Sequence, residues 1–113
     1  MNKTDFINLL EKLGFSVEKP FSMYYVIIYK NVICGWIQCF YGAEPSFRNV
    51  SVFKLAREAT KKQLSNMAIF PSPKKLENMV ENDTKKMLFD IQQKVKVYIT
   101  RVKKSQIEKD FNV

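Results

Sequence analysis

Apolar residues recur along this chain in different rhythms, and each rhythm predicts a different kind of element. From Asn2 to Leu13, the residues Phe6, Leu9, Leu10 and Leu13 keep the three-and-four spacing of an amphipathic helix. Gly14 stands where such a helix ends in the left-handed conformation, and Phe15 is placed to pack back on Leu10. Phe15 to Lys19 has the composition of a short strand, which Pro20 stops or confines to a sheet edge.

Met23 to Tyr29 and Val32 to Tyr41 are rich in β-branched and aromatic residues and are separated by Lys30-Asn31, which predicts a hairpin. The turn is a weaker one than Asn-Gly. With a two-residue loop, Tyr29 faces Val32, Ile27 faces Cys34 and Tyr25 faces Trp36. One sheet face then carries Tyr25, Tyr29, Trp36 and Phe40 with Met23, Ile27, Val32 and Cys34. The other carries Tyr24, Val26, Ile28, Ile33, Ile37 and Tyr41. An antiparallel sheet with one wet face would alternate apolar with polar residues, so both faces of this hairpin are expected to be covered.

Gly42 to Pro45 reads as a turn and Phe47 to Val52 as a third strand. Ser51 or a neighbour then caps a helix running to about Asn66, with Phe53, Ala56, Thr60, Leu64 and Met67 at helical spacing and Lys54, Arg57, Lys61 and Lys62 on its other faces. Ser72-Pro73 supplies an N-cap and a first-turn proline for the last helix, which continues to about Lys104. Its inner face is read as Leu76, Val80, Met87, Ile91, Tyr98 and Val102. The steps alternate between four and seven, a repeat that permits nearly straight packing. About thirty residues of helix span roughly 45 Å, more than a globule of this size needs. Its end is therefore expected to project or to pair with a second subunit, and a homodimer through this helix or through the second sheet face is one expectation. The predicted fold is α+β: an N-terminal helix, a small antiparallel sheet built on a β-hairpin, then two helices, the last long and basic. A single domain over residues 1–113 is expected, since the chain shows no domain-scale repeat, low-complexity tract or flexible linker.

Charge changes this picture by its placement. The 113 residues hold 19 lysines and arginines against 11 acids, a formal net charge of +8. Nearly all of the excess falls after residue 50, whereas ten of the fifteen aromatic residues come before it. A buried, sheet-rich first half and a solvated, helical second half follow, and only the second faces an anionic partner by default. Hydrophobic residues make up 46% of the chain, enough for a core without disulfides. A membrane span over residues 21–41 is excluded by Lys30 and Asn31 at its centre, since a central lysine costs roughly 2.5–3.5 kcal/mol on insertion. No secretory signal is evident at the N-terminus. Cys34 and Cys39 are five apart, which in a regular strand sends them to opposite faces. A reducing, cytoplasmic compartment and two small core cysteines are expected.

Histidine is absent. That removes the usual serine and cysteine triads, histidine acid-base catalysis and the common zinc sites. Gly14, Gly35 and Gly42 are too far apart for a P-loop or a dinucleotide-binding loop. Glu11, Glu18 and Glu44 would be the carboxylates of a small magnesium-dependent nuclease, but they have no recognisable spacing. Glu77, Glu81 and Asp83 suit the first turns of a helix, where negative charge complements the dipole. Tyr98 shares a face with Ile91 and Val102 and reads as core. No cofactor is called for, and the chain is not expected to be an enzyme.

What remains is a partner. Lys74, Lys85 and Lys96 recur at eleven residues, about three helical turns, and Lys103 returns to the same face. Arg101 and Lys104 thicken this stripe, and Lys61 and Lys62 offer a second basic surface. A solvated helix face explains some of this, as does dipole complementation, but not the whole imbalance. A phosphate-gripping, non-catalytic nucleic-acid-binding protein, for DNA or RNA, is the first expectation. The hairpin aromatics Tyr25, Tyr29, Trp36 and Phe40 are the candidates for base stacking or for an interface. The second expectation is a protein–protein module, such as a phage or mobile-element accessory or inhibitor that binds a larger host protein. Such a module should leave part of the aromatic hairpin exposed.

Overall fold

The computed structural model describes residues 1–21, 23–39, 44–56 and 74–111. Helix α1 spans Lys3–Lys12. Asn2 caps it by accepting a hydrogen bond from the Asp5 N–H at 2.8 Å, which satisfies one of the donors a helix start leaves open. At the other end Gly14 takes φ +95°. The Gly14 N–H donates to the Glu11 carbonyl at 3.1 Å and the Phe15 N–H to that of Leu10 at 2.9 Å, the paired bonds of a Schellman motif. Phe15 is thereby folded back among Phe6, Leu9 and Leu10, all buried.

Five strands form an antiparallel meander in which spatial order follows chain order. They are β1 (Ser16–Phe21), β2 (Tyr24–Tyr29), β3 (Val32–Gln38), β4 (Ser46–Leu55) and β5 (Lys74–Lys75). Strand β1 runs through Pro20 and lies at the sheet edge, where a missing N–H need cost no ladder bond. Between β2 and β3, Lys30 and Asn31 both adopt positive φ, 50° and 64°, the conformation of a type I′ hairpin turn.

Tyr29 pairs with Val32 and Ile28 with Ile33, but Ile27 then pairs with Gly35. Cys34 is thus the extra residue of a bulge, and beyond it the side chains of β3 change face relative to an unbroken ladder. Tyr25 consequently lies opposite Ile37, and Trp36 opposite Val26. The expected facing pairs Tyr25–Trp36 and Ile27–Cys34 are not formed. The same bulge brings Cys34 and Cys39, expected on opposite faces, to one core.

That core lies between the sheet and the two helices. Phe6 and Leu10 from α1 meet Ile27, Val32, Ile37 and Phe47 from the sheet. The rings of Phe6 and Phe47 meet edge to face, 5.5 Å between centroids. On the opposite sheet face, Val26, Ile28, Ile33 and Trp36 are also buried, with Tyr24, Val50 and Ala56 packed against them. Both faces of the hairpin are covered, as its two-sided apolar pattern requires.

Two boundaries differ from expectation. Strand β4 continues to Leu55, so Ser51 is strand rather than a helix cap and Phe53 to Leu55 do not open a helix. The reason is a period of two: Phe53 and Leu55 pack on the helix-side core, while Lys54 pairs across the ladder with Ile33. The rest of that expected helix, including Lys61 and Lys62, lies outside the described residues, as does the Ser72-Pro73 start. The last helix, α2, spans Glu81–Phe111. Before it, Lys74 and Lys75 pair with Phe47 and Ser46 as β5. The Leu76 N–H then donates to the Pro45 carbonyl at 3.0 Å, and a single 3₁₀ turn, Leu76–Asn78, buries Leu76.

The late start leaves Leu76 and Val80 outside α2. Thr84, Leu88, Ile91 and Val95 are buried, and Met87, Tyr98, Ile99 and Val102 half-buried, while Val80 is 62% exposed. Met87, Ile91, Tyr98 and Val102 thus lie on the inward side as expected, while Thr84, Leu88 and Val95 fill the face between them, which runs at steps of four and three. The Gln92 carboxamide donates to the Leu13 carbonyl at 2.7 Å, tying α2 to the end of α1. The molecule is elongated, 54 × 31 × 22 Å, in keeping with a 31-residue helix of roughly 46 Å.

Candidate functional site

The basic residues divide according to their neighbours. In the first half of α2, Lys85 lies 3.5 Å from Glu81 and Lys94 lies 2.9 Å from Asp90, both at a spacing of four. After Asp90 the sequence holds five cations before the next carboxylate, Glu108. Of these, Lys96, Arg101, Lys103 and Lys104 are exposed, and none takes part in an ion pair among the described residues. Lys74 is not on the helical stripe at all. It lies on β5, with its ammonium 3.8 Å from the Met87 sulfur.

Lys96 and Lys103, seven residues apart on α2, face an open groove whose far wall is the hairpin turn and the end of β4. Lys30 lines the same groove from that turn, so three lysines from two elements border it. Leu55, Ile99 and Val102 supply apolar lining, Asn31 and Thr100 polar lining, and no carboxylate lines it among the described residues. The volume is about 610 Å³. The wall is held by backbone: the Ala56 N–H donates to the Asn31 carbonyl at 2.7 Å, fixing the end of β4 to the turn. The Lys30 ammonium sits 5.6 Å from the centre of the Tyr29 ring, an attraction to the ring face that needs no carboxylate.

Sequence reasoning singled out Lys96 and Lys103 and missed Lys30. A signal was present, since a two-residue hairpin loop demands positive φ at both positions and lysine adopts it at a cost that glycine or asparagine avoids.

The aromatic candidates are not brought together. Tyr25 and Tyr29 pack on the helix-side core, whereas Trp36 is fully buried on the opposite face and cannot present its ring to a ligand. Tyr25 is half-buried, with the Lys3 and Lys19 ammonium groups 5.2 and 5.3 Å from its ring centre. Phe40 lies outside the described residues.

Among the described residues, no three carboxylates or cysteines are grouped as metal ligands would be, and no helix is long and apolar enough to cross a membrane. The Cys34 thiol is buried and donates to the Val32 carbonyl at 3.3 Å. Burial pushes its pKa up to about 12, so it is not a thiolate at neutral pH.

Compared with models of protein families, with curated proteins and with solved structures, the chain matches none.

Proposed function

We propose that the protein is a small, non-catalytic nucleic-acid-binding protein that grips the phosphate backbone through the basic half of α2. The observation that carries this reading is that Lys30, Lys96 and Lys103 border one open groove with no carboxylate in its lining among the described residues. Uncompensated cations repel one another, and an arriving polyanion relieves that repulsion while releasing its own counterions. Arg101 and Lys104 extend the surface beyond the groove. The test is fluorescence anisotropy with labelled nucleic acid between about 50 and 300 mM salt. Affinity should fall with a log-log slope of about 0.7–0.9 per phosphate neutralised; a flat slope would count against the reading.

A second reading, an accessory protein of a phage or mobile element that docks on a larger host protein, draws on a different observation. Phe89 and Val97 on α2 are 62% and 51% exposed, and Val97 borders a shallow depression with Phe53 and Tyr98. The burial of Trp36 favours the first reading, because a hairpin interface would leave that ring open. A complex recovered after nuclease treatment, and lost on Phe89→Ser with Val97→Ser, would favour the second.

A further inference from the structure

We infer that the groove between the hairpin turn and α2 takes single-stranded nucleic acid in preference to duplex, seating an unstacked base on its apolar lining while the lysines hold the flanking phosphates. This rests on the nucleic-acid reading above and specifies the form of the ligand.

The groove mixes two kinds of group. A surface that only tracks duplex phosphates needs cations and hydrogen-bond donors, and apolar side chains between them gain nothing, because a duplex hides its base faces in the stack. Here Leu55, Ile99 and Val102 line the same groove as Lys30, Lys96 and Lys103. A ligand matching both sets must carry an apolar face and negative charge within a few ångströms of each other. Successive nucleotides of a single strand do so, since each exposed base face is flanked by phosphates. Asn31 adds a carboxamide in the lining that makes no hydrogen bond among the described residues. It can donate to and accept from a base edge. A volume of about 610 Å³ lies within the range of small-ligand clefts.

The left-handed backbone of Lys30, φ 50°, supports the same assignment. A lysine in that conformation is strained relative to glycine, and strain of this kind points to a role for the side chain. The turn sets Lys30 on the wall opposite Lys96 and Lys103, so both walls contribute cations and apolar side chains instead of one helix face alone.

The experiment is anisotropy of the full chain with four labelled probes of equal length at one low salt concentration: single-stranded DNA, single-stranded RNA, duplex DNA, and a single strand in which the central nucleotides are abasic. The abasic strand keeps every phosphate and removes the base faces. The expected result is tighter binding of a single strand than of duplex and a loss of about fivefold or more on the abasic strand, the scale of one buried apolar contact. Val102→Ser should weaken intact single strands by a similar factor and leave the abasic strand unchanged, with an unaltered circular dichroism spectrum as the control for folding. Lys30→Gly should weaken both. Equal binding of intact and abasic strands, or tighter binding of duplex, overturns the base seat while leaving the phosphate-binding reading in place. No binding of any probe overturns both.

Discussion

A methyl group added to Gly35 would sit 2.5 Å from the Arg48 carbonyl oxygen and 3.0 Å from the Phe47 ring. The first contact is with backbone in a neighbouring strand, which cannot swing aside. Gly35→Ala should therefore destabilise the fold by about 2 kcal/mol or more, measured by denaturant unfolding. Cys34, the bulge residue beside it, makes stability depend on pH. Its pKa is raised to about 12 in the folded chain, above the unfolded value near 8.5–9. The unfolded state thus releases its proton first as pH rises. The contribution is fully present below the unfolded pKa and is lost progressively up to about pH 12, with a slope approaching 1.4 kcal/mol per pH unit at most. Cys34→Ala should flatten that part of the stability–pH curve, and in the native wild type the half-buried Cys39 should be alkylated well before Cys34. At the turn, Lys30→Gly relieves a positive φ and should raise stability by roughly 1 kcal/mol while weakening nucleic-acid binding. Such opposite signs would separate a functional residue from a structural one.

At the scale of elements, what could be read from the chain depended on whether a pattern was local. Helix α1 was legible to within one residue at each end, because its stripe and terminating glycine act within a few positions of one another. The hairpin and its turn were legible for the same reason. The bulge at Cys34 was not, because it is set by how β3 meets both neighbours, with Gly35 lying opposite Asn49 on one side and Ile27 on the other. That one residue moved Trp36 and Ile37 to the faces opposite to those expected. The start of α2 was misread because Pro73-Lys74-Lys75-Leu76 suits an extended segment as well as a helix entry. The edge of β4 decides between them by pairing with Lys74 and Lys75. Along α2, Leu88 and Val95 point inward beside the expected Met87, Ile91 and Tyr98. Leu88→Ala should cost about 2–5 kcal/mol, whereas Val80→Ala, at a 62% exposed position, should shift stability by no more than about 0.5 kcal/mol. Paired thermal melts of the two variants check the assigned phase.

Over the whole molecule, the candidate site combines residues far apart in sequence. Lys96 and Lys103 were visible as a helical stripe, but the third cation and the opposite wall come from Lys30, Asn31 and Leu55, and no local pattern brings those beside α2. Folding of the sheet onto the helix does. Replacing Lys30, Lys96 and Lys103 together with glutamine removes three charges at exposed positions. It should lower the salt slope of binding by about 2–3 with little effect on the melting temperature, since none of the three forms an ion pair among the described residues.

The unequal distribution of charge along α2 also bears on kinetics. Toward its start the helix carries Glu81, Asp83 and Asp90 beside its lysines and is close to neutral; beyond Asp90 it carries five cations before the next acid. A body about 54 Å long whose longest helix is charged so unequally along its length experiences a torque near any polyanion, and is turned before it touches. Beyond about 10 Å at 0.1 M salt that torque is screened. Added salt should therefore act chiefly on the rate of arrival, slowing association in stopped-flow traces more than it hastens release.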